Sequence, residues 1–279
     1  MTDSATDLPI GIFDSGVGGL TVLRALREAM PQESFLYLGD TARVPYGTRS
    51  PETVQRYALQ AAGLLERRGV KALVIACNTA SAVALPAVQE EWPDRLVEGV
   101  IEPGAAAAVA ASKTRRIGVI ATEGTVRGGA YSRAVTALEP GADVRAQACA
   151  LLVALAEEGW TEGPVVDAAL ARYFHGEAGE WMHGRDVLVL GCTHFPVLRD
   201  AIAAALPASV TIVDSAATTA ARVAGDLAAR RLSREAAEAR GEVRYLVTDN
   251  LDRFHATATR FLGEAPAPGS VELVDITDH

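Results

Sequence analysis

Residues 72–79 read ALVIACNT, an unbroken apolar run that ends in a thiol, an amide and a hydroxyl. A run of this length without polar alternation is typical of a strand buried on both faces, as in a parallel sheet covered by helices. A second run, LVLGCT at residues 188–193, also ends in a cysteine with a hydroxyl residue close behind. The two runs predict related strands in an α/β fold, and two half-sites that face each other would produce such a repeat.

Eight short apolar stretches predict strands, and the amphipathic stretches between them predict helices. The predicted strands cover residues 10–13, 35–38, 72–76, 117–121, 187–190, 210–213, 243–247 and 271–276. The clearest helix covers residues 51–68, where Ser50 can cap the first turn and Pro51 suits the first helical position. Gly69 suits a left-handed end to this helix. Alternating strands and helices predict a parallel sheet flanked by helices.

The chain of 279 residues is long enough for about two domains. We interpret residues 98–104, EGVIEPG, as the end of a strand followed by a breaker, and Pro207 with Ala208 as the gap between a helix and the next strand. These two positions divide the chain into three blocks, residues 1–98, 99–208 and 209–279.

Composition excludes several classes of protein. Hydrophobic residues make up 49% of the chain, which is enough for a large core, and the net charge of −9 argues against a nucleic-acid partner or an anionic membrane. The polar N-terminus predicts no signal peptide, and the alanine-rich run at 104–111 is too short to span a bilayer. Three scattered cysteines do not form a disulfide framework. We therefore expect a cytoplasmic protein with reduced thiols.

Ligands of open parallel sheets bind beyond the carboxyl ends of the strands, where this sequence concentrates its polar groups. The loop at 14–19, DSGVGG, follows a strand and opens a helix, so it can cradle an anion or simply form a tight turn. Cys77 precedes a helix whose N-terminal field favours a thiolate, although a free cysteine is often inert and buried. Asn78 and Thr79 can hydrogen-bond a carboxylate.

Cys192 and His194 are two residues apart, so both can reach one cleft and exchange a proton. The alternative is a histidine satisfied within a turn. A cysteine and a histidine at this spacing do not match a usual zinc site, so we expect no metal. The segment 44–47, VPYG, predicts a rigid turn that either caps a ligand through Tyr46 or lies plainly on the surface. Cys149, in an apolar helical context, is predicted to be core.

Two cysteines at one cleft allow more than one chemistry. A single thiol assisted by His194 would give a hydrolase or transferase, which leaves the second strand-end thiol without a role. Two thiols on opposite faces of a ligand suit racemisation, in which one removes a proton from carbon and the other returns one. A carboxylate-binding protein without catalysis is the third possibility. Pyridoxal phosphate needs a lysine, but Lys71 and Lys113 both precede strands, at the wrong sheet edge, so a cofactor-free reaction is expected.

The sequence resembles the glutamate racemases of the cofactor-independent Asp/Glu racemase superfamily over residues 10 to 220. The cysteine motifs VIACNTA at 74–80 and LGCTHFP at 190–196 are highly specific together. The other matching stretches are IGIFDSGVGGL at 10–20, YLGDTARVPYG at 37–47, GVIEPG at 99–104, IGVIATEGT at 117–125 and VDS at 213–215. Aspartate racemase is the nearest rival within the superfamily.

The resemblance implies which residues act. Cys77 and Cys192 would be acid/base thiols on opposite faces of glutamate, assisted by Asp14 and His194, with Glu157 supporting the histidine. The residues that would bind the substrate are Asp14, Ser15, Pro45, Tyr46, Gly47, Asn78, Thr79, Thr122, Thr125, Thr193 and His194.

The resemblance also implies an architecture and a cellular role. It implies two similar α/β domains with the active site in the cleft between them. Residues 1–98 and 209–279 would form one domain, and residues 99–208 the other. A homodimer is expected, because relatives form dimers, and the product D-glutamate would supply peptidoglycan synthesis in a bacterial cytoplasm.

Overall fold

The computed structural model describes residues 5–235 and 240–276. Its strands are β1 Ile10–Asp14, β2 Phe35–Gly39, β3 Ala72–Ile75, β4 Leu96–Gly99, β5 Arg116–Ala121, β6 Asp143–Ala148, β7 Val187–Gly191, β8 Thr211–Asp214, β9 Val243–Val247 and β10 Val271–Leu273. Its α-helices are α1 Leu20–Ala29, α2 Pro51–Arg67, α3 Asn78–Glu91, α4 Ile101–Ala111, α5 Glu123–Gly128, α6 Ala130–Leu138, α7 Ala150–Glu158, α8 Pro164–Phe174, α9 Arg199–Ala204, α10 Ser215–Ala229 and α11 Leu251–Leu262. Three 3₁₀ segments lie at Tyr46–Thr48, Gly176–Met182 and Phe195–Leu198.

The strands form two parallel sheets. The first has the order β10-β9-β2-β1-β3-β4, and the second has the order β6-β5-β7-β8. All pairs are parallel, with helices between successive strands, so the prediction of two α/β units with parallel sheets is confirmed. Cys77 follows β3 and Cys192 follows β7, so each sheet presents one thiol at its carboxyl edge.

Strand β8 corrects the predicted block boundary at residues 208 and 209. That boundary assigns the strand at 210–213 to the first unit, but β8 pairs with β7 in the second sheet, with Ile212 opposite Leu188. The chain therefore returns to the first sheet only after Asp214, through α10, which packs against α1 and α4. The other domain bounds stay a prediction.

Three further stretches differ from the sequence analysis. Residues 98–104 begin with the end of β4, as predicted, but continue into the first turn of α4 instead of a breaker, and Pro103 is the third helical residue. Proline is tolerated there because the first backbone N–H groups of a helix have no intrahelical partner. Strand β6, DVRAQA, lacks an apolar run because it is the edge strand of its sheet and none of its residues is fully buried. The last predicted strand ends at Leu273, three residues early.

Helix α2 forms as the sequence predicts. The Ser50 hydroxyl accepts a hydrogen bond from the Thr53 amide, and Gly69 takes the left-handed conformation with φ +76°. Its buried face, which includes Ala58, Ala61 and Leu65, joins the core on one side of the first sheet. Burying one leucine contributes roughly 1.5–3 kcal/mol, so this face rather than intrinsic propensity fixes the helix. No helix in the described ranges is both long enough and apolar enough to cross a membrane.

Candidate active site

Cys77 lies in the turn between β3 and α3. It occupies the cap position before Asn78 with an extended backbone, and its side chain is 6% exposed. The Ser15 hydroxyl and the Ala80 amide hydrogen-bond the sulfur. Burial raises the pKa of the Cys77 thiol to about 12, and the negative charge of Asp14 adds to the effect. Cys77 is therefore a neutral thiol near pH 7 and can donate a proton.

Asp14 ends β1 beneath the start of α1. Its Oδ2 accepts hydrogen bonds from the Gly16 amide at 3.0 Å and from the Tyr37 hydroxyl at 3.3 Å. A Cβ at Gly19 would lie 2.6 Å from the Asp14 Cβ, so a glycine is needed for α1 to begin this close. Asp14 is 1% exposed, which places a carboxylate inside the site rather than on its rim.

Cys192, His194 and Glu157 form a chain of contacts in the second sheet. The Cys192 Sγ lies 3.8 Å from His194 Nδ1, and His194 Nε2 lies 3.1 Å from Glu157 Oε1. Burial alone would lower the pKa of His194, but the contacts with Cys192 and Glu157 raise it to about 10. The hydrogen bond from His194 lowers the pKa of Glu157. An imidazolium therefore stands beside Cys192, and its charge stabilises a thiolate there.

The loop after β1 brings the two halves together. The Thr21 hydroxyl donates to the Thr193 carbonyl at 3.0 Å, and a Cβ at Gly18 would lie 2.4 Å from His194 Nδ1. A charge on Cys192 raises the pKa of Cys77, so Cys192 acts on Cys77 electrostatically. The structure thus gathers both predicted cysteine motifs and the DSGVGG loop at the junction of the two sheets.

Hydroxyl and amide groups line the same region. The hydroxyls of Thr79 and Thr122 are 2.9 Å apart, and Thr125 lies 3.0 Å from Thr122. The Tyr131 hydroxyl donates to Asn78 Oδ1 at 2.8 Å, which fixes the orientation of that amide. The Asn78 Nδ2 is buried and has no hydrogen-bond partner within the described residues. A buried donor without a partner is costly, so this amide is the kind of group that a bound carboxylate completes.

The turn that carries Pro45, Tyr46 and Gly47 differs in part from the sequence interpretation. The Tyr46 side chain is buried, and its hydroxyl donates to Asp40 rather than facing a ligand. Tyr46 therefore offers only backbone atoms to a substrate. Gly47 packs against Thr122, since a Cβ there would lie 3.0 Å from the threonine Cβ. The turn thus reaches the second half of the molecule, and its binding role stays a prediction.

Several residues of the site carry no functional signal in the sequence. Tyr37 and Tyr131 orient Asp14 and Asn78, and Arg253 lies 3.6 Å from Glu157 Oε2. Each acts on a partner far away in the chain, which periodicity and short motifs do not detect. Cys149, by contrast, is fully buried in the core, as predicted.

The residues that could hold a metal or pyridoxal phosphate do not gather near the thiols within the described residues. No cluster of three or more His, Cys, Asp or Glu side chains suited to a metal occurs in the part of the chain that the structure describes. Lys71 precedes β3 and pairs with Glu33 at 2.5 Å, with both side chains buried. Lys113 precedes β5. Both lysines therefore lie at the amino-terminal sheet edges, opposite the thiols.

The two-unit α/β fold brings together, where its sheets meet, thiol, carboxylate and imidazole groups, which can take up and release protons. Residues 19–223 match the Asp/Glu/Hydantoin racemase family model, and the chain belongs to this family of racemases. The resemblance that the motifs predicted is confirmed.

Curated relatives and solved structures agree with this membership. The chain is 50% identical to a glutamate racemase of Geobacter metallireducens over 256 residues, which cover 91% of this chain and 92% of the relative. The glutamate racemase of Thermus thermophilus is 48% identical over 92% of this chain and 93% of its own. The structure of glutamate racemase from Francisella tularensis in complex with D-glutamate superposes with a TM-score of 0.90 at 33% identity, covering 98% of this chain and 100% of the other.

Proposed function

We propose that this chain interconverts L- and D-glutamate without a cofactor, by proton transfer between the α-carbon and the thiols of Cys77 and Cys192. One observation carries the proposal: two buried thiols, one at the carboxyl edge of each sheet, each have their own charged neighbour, and a charge on Cys192 acts on Cys77. A two-base reaction needs differently charged groups beside the two sulfur atoms, because one sulfur must be charged while the other holds a proton.

In one direction Cys192 is the base. The imidazolium of His194 stabilises the thiolate, which takes the α-proton from one face of the substrate. The electron pair left on the α-carbon delocalises into the adjacent carboxylate. The Cys77 thiol then donates its proton to the opposite face, and the configuration is inverted. In the other direction Cys77 is the base, with Asp14 as the neighbour that can take up its proton.

The developing charge on the substrate carboxylate requires hydrogen-bond donors. We propose that these are the free Nδ2 of Asn78, the hydroxyls of Thr79 and Thr122, and the first amides of α3. Asn78 and Thr79 follow Cys77 in the chain and begin α3, and the Thr122 hydroxyl contacts the Thr79 hydroxyl. The remaining predicted contacts are proposed to complete the site: Asp14, Ser15, Pro45, Tyr46, Gly47, Thr125, Thr193 and His194.

Glutamate is the proposed substrate on the strength of the relatives. The proteins at 42–50% identity are named glutamate racemases, and the solved Francisella tularensis structure holds D-glutamate. We further propose that the product supplies peptidoglycan synthesis in the cytoplasm and that the chain forms a homodimer. Complementation of a D-glutamate auxotroph tests the cellular role, and light scattering after gel filtration tests the dimer.

The decisive experiment is proton exchange in heavy water without added cofactor. The protein is expected to introduce deuterium at the α-carbon of both glutamate enantiomers while circular dichroism follows racemisation. Cys77→Ala and Cys192→Ala should each abolish interconversion. Cys149→Ala is the matched control, because that thiol lies in the core, and it should retain activity.

Other outcomes separate the alternatives. A trappable thioester that survives loss of Cys77 would indicate a hydrolase. Tight binding of glutamate without α-exchange would indicate a binding protein. Faster turnover of aspartate than of glutamate would indicate the rival racemase. Racemisation by either alanine variant would reject the two-thiol mechanism.

A further inference from the structure

Helix α11 reaches across from the first sheet to the second. It follows β9 of the first sheet and packs against α1, yet it contacts the end of α7 at Glu157. Arg260 donates to the Glu157 carbonyl, and its Nη1 lies 3.5 Å from the Ala156 carbonyl. Arg253 holds the other end of the same residue, with its Nη2 3.6 Å from the carboxylate.

The carboxyl end of α7 forms the binding site for the Arg260 guanidinium. Gly159 closes this helix in the left-handed conformation with φ +78°. A Cβ at Gly159 would lie 2.5 Å from the Arg260 guanidinium, so a larger residue there would push the guanidinium away from the end of the helix. The last carbonyls of a helix carry partial negative charge, which a guanidinium complements.

A third contact joins the same helix to the histidine. The Phe261 ring meets the His194 ring edge-on, with centroids 5.2 Å apart and planes inclined by 77°. Phe261 is fully buried, so it limits the movement of the imidazole. The backbone of Glu157, its carboxylate and the ring of its partner His194 are thus all contacted by α11.

We propose that α11 positions the Glu157–His194 pair, and that Arg260 and Arg253 are positioning residues for proton transfer at Cys192. This inference rests on the proposed function. The Glu157 side chain is one-third exposed, so water competes for its carboxylate unless the arginines restrain it. A restrained carboxylate keeps its bond to His194, and the imidazolium then keeps its charge beside Cys192. The charged groups that act on His194 are Cys192, Glu157 and Asp14.

The test compares Arg253→Gln and Arg260→Gln with a matched control, Arg244→Gln. Arg244 also forms an exposed ion pair, at 3.4 Å from Glu272, with 62% exposure against 67% for Arg253. We expect kcat to fall about three-fold in Arg253→Gln, the scale of an exposed pair, and about ten-fold in Arg260→Gln, which displaces the backbone. KM should stay within about two-fold in both. Arg244→Gln should match the wild type.

Two readouts separate positioning from a merely structural role. The exchange of the His194 Nε2–H proton with solvent, followed by ¹⁵N NMR, should be faster in Arg253→Gln than in the wild type, because the carboxylate that holds this proton is no longer restrained, and Arg253→Lys should restore slow exchange. In a Glu157→Gln background, Arg253→Gln should cause no further loss of kcat, because its target is already removed.

The inference is overturned if both arginine variants keep the wild-type kcat and the wild-type exchange rate of the His194 Nε2–H proton, or if Arg253→Gln lowers kcat as much in the Glu157→Gln background as in the wild type. Should either Gln variant unfold, Arg253→Met and Arg260→Met take its place, because methionine keeps an unbranched apolar side chain but carries no charge. If the proposed function itself is wrong, the wild type introduces no deuterium into glutamate, and this result is distinct from failure of the positioning inference.

Discussion

Substitution of Gly18 by alanine tests how tightly the two halves of the site fit. The added Cβ would lie 2.4 Å from His194 Nδ1, 2.5 Å from His194 Cε1 and 2.6 Å from Thr193 Oγ1. Ordinary contact begins at 3.4 Å, so the histidine or the loop must move by about 1 Å. Gly18 does not have a positive φ, so alanine introduces no backbone strain and the effect is steric.

The size of the effect follows from that displacement. A misplacement of 1 Å at reacting groups can cost about 100-fold in rate, and we expect kcat of Gly18→Ala to fall by that order. Overpacking costs about 1–3 kcal/mol in stability, and the lost freedom of the unfolded chain offsets about 0.4–1 kcal/mol. The free energy of unfolding should therefore fall by only about 1–2 kcal/mol, and the variant stays folded.

The assay pairs racemase kinetics by circular dichroism with urea unfolding. Gly225→Ala is the control, because this glycine lies within α10 and nothing lies within 4 Å of its added Cβ. It should keep the wild-type kcat and gain about 0.5–1 kcal/mol from its helical propensity. Wild-type kcat in Gly18→Ala would refute the argument that the loop fixes His194 against Cys192.

Three further predictions concern charge and hydrogen bonding. The folded-state pKa of His194, about 10 against an ordinary 6.5, means that its contribution to stability is full below about pH 6.5 and lost as the pH rises through about 10. In urea unfolding, the difference in the free energy of unfolding between the wild type and His194→Asn should therefore become smaller as the pH rises over this range. Lys71→Met removes the cation that pairs with the buried Glu33, so the free energy of unfolding should fall by about 3–5 kcal/mol, and the double variant Lys71→Met with Glu33→Met should recover most of this loss. Tyr131→Phe frees the Asn78 amide, so KM for glutamate should rise about ten-fold with a smaller change in kcat, and an unchanged KM would contradict that role.

The sequence predicts most of the central strands because each is buried on both faces and reads as a short apolar run. The same reasoning fails at β6, an edge strand with half-exposed charged residues, and at α4, whose proline occupies the first turn. The strand at β8 was located within one residue, but its sheet partner depends on topology, which local pattern does not specify.

The site was predictable where reactive residues directly follow strands. Cys77 and Cys192 follow β3 and β7, and the resemblance adds Glu157 from another element, while the roles of all three stay a prediction. Tyr46 shows the limit, because its motif is recognisable while the partner of its hydroxyl, Asp40, is a matter of side-chain packing. Arg253 lies in a stretch without any motif, and only the approach of α11 to α7 reveals its neighbour.

The positions at which the chain passes between the sheets bear on how a substrate enters. The passages follow β4 and β8, which are edge strands, and the helices that begin there, α4 and α10, pack against each other. A rotation about this shared edge would act as a hinge and separate the sheets most at their far edges. Neighbouring strands are about 4.8 Å apart, and the thiol-bearing strands β3 and β7 lie directly beside the hinge. Opening would therefore admit an amino acid while shifting the two sulfur atoms less than any group on the outer strands.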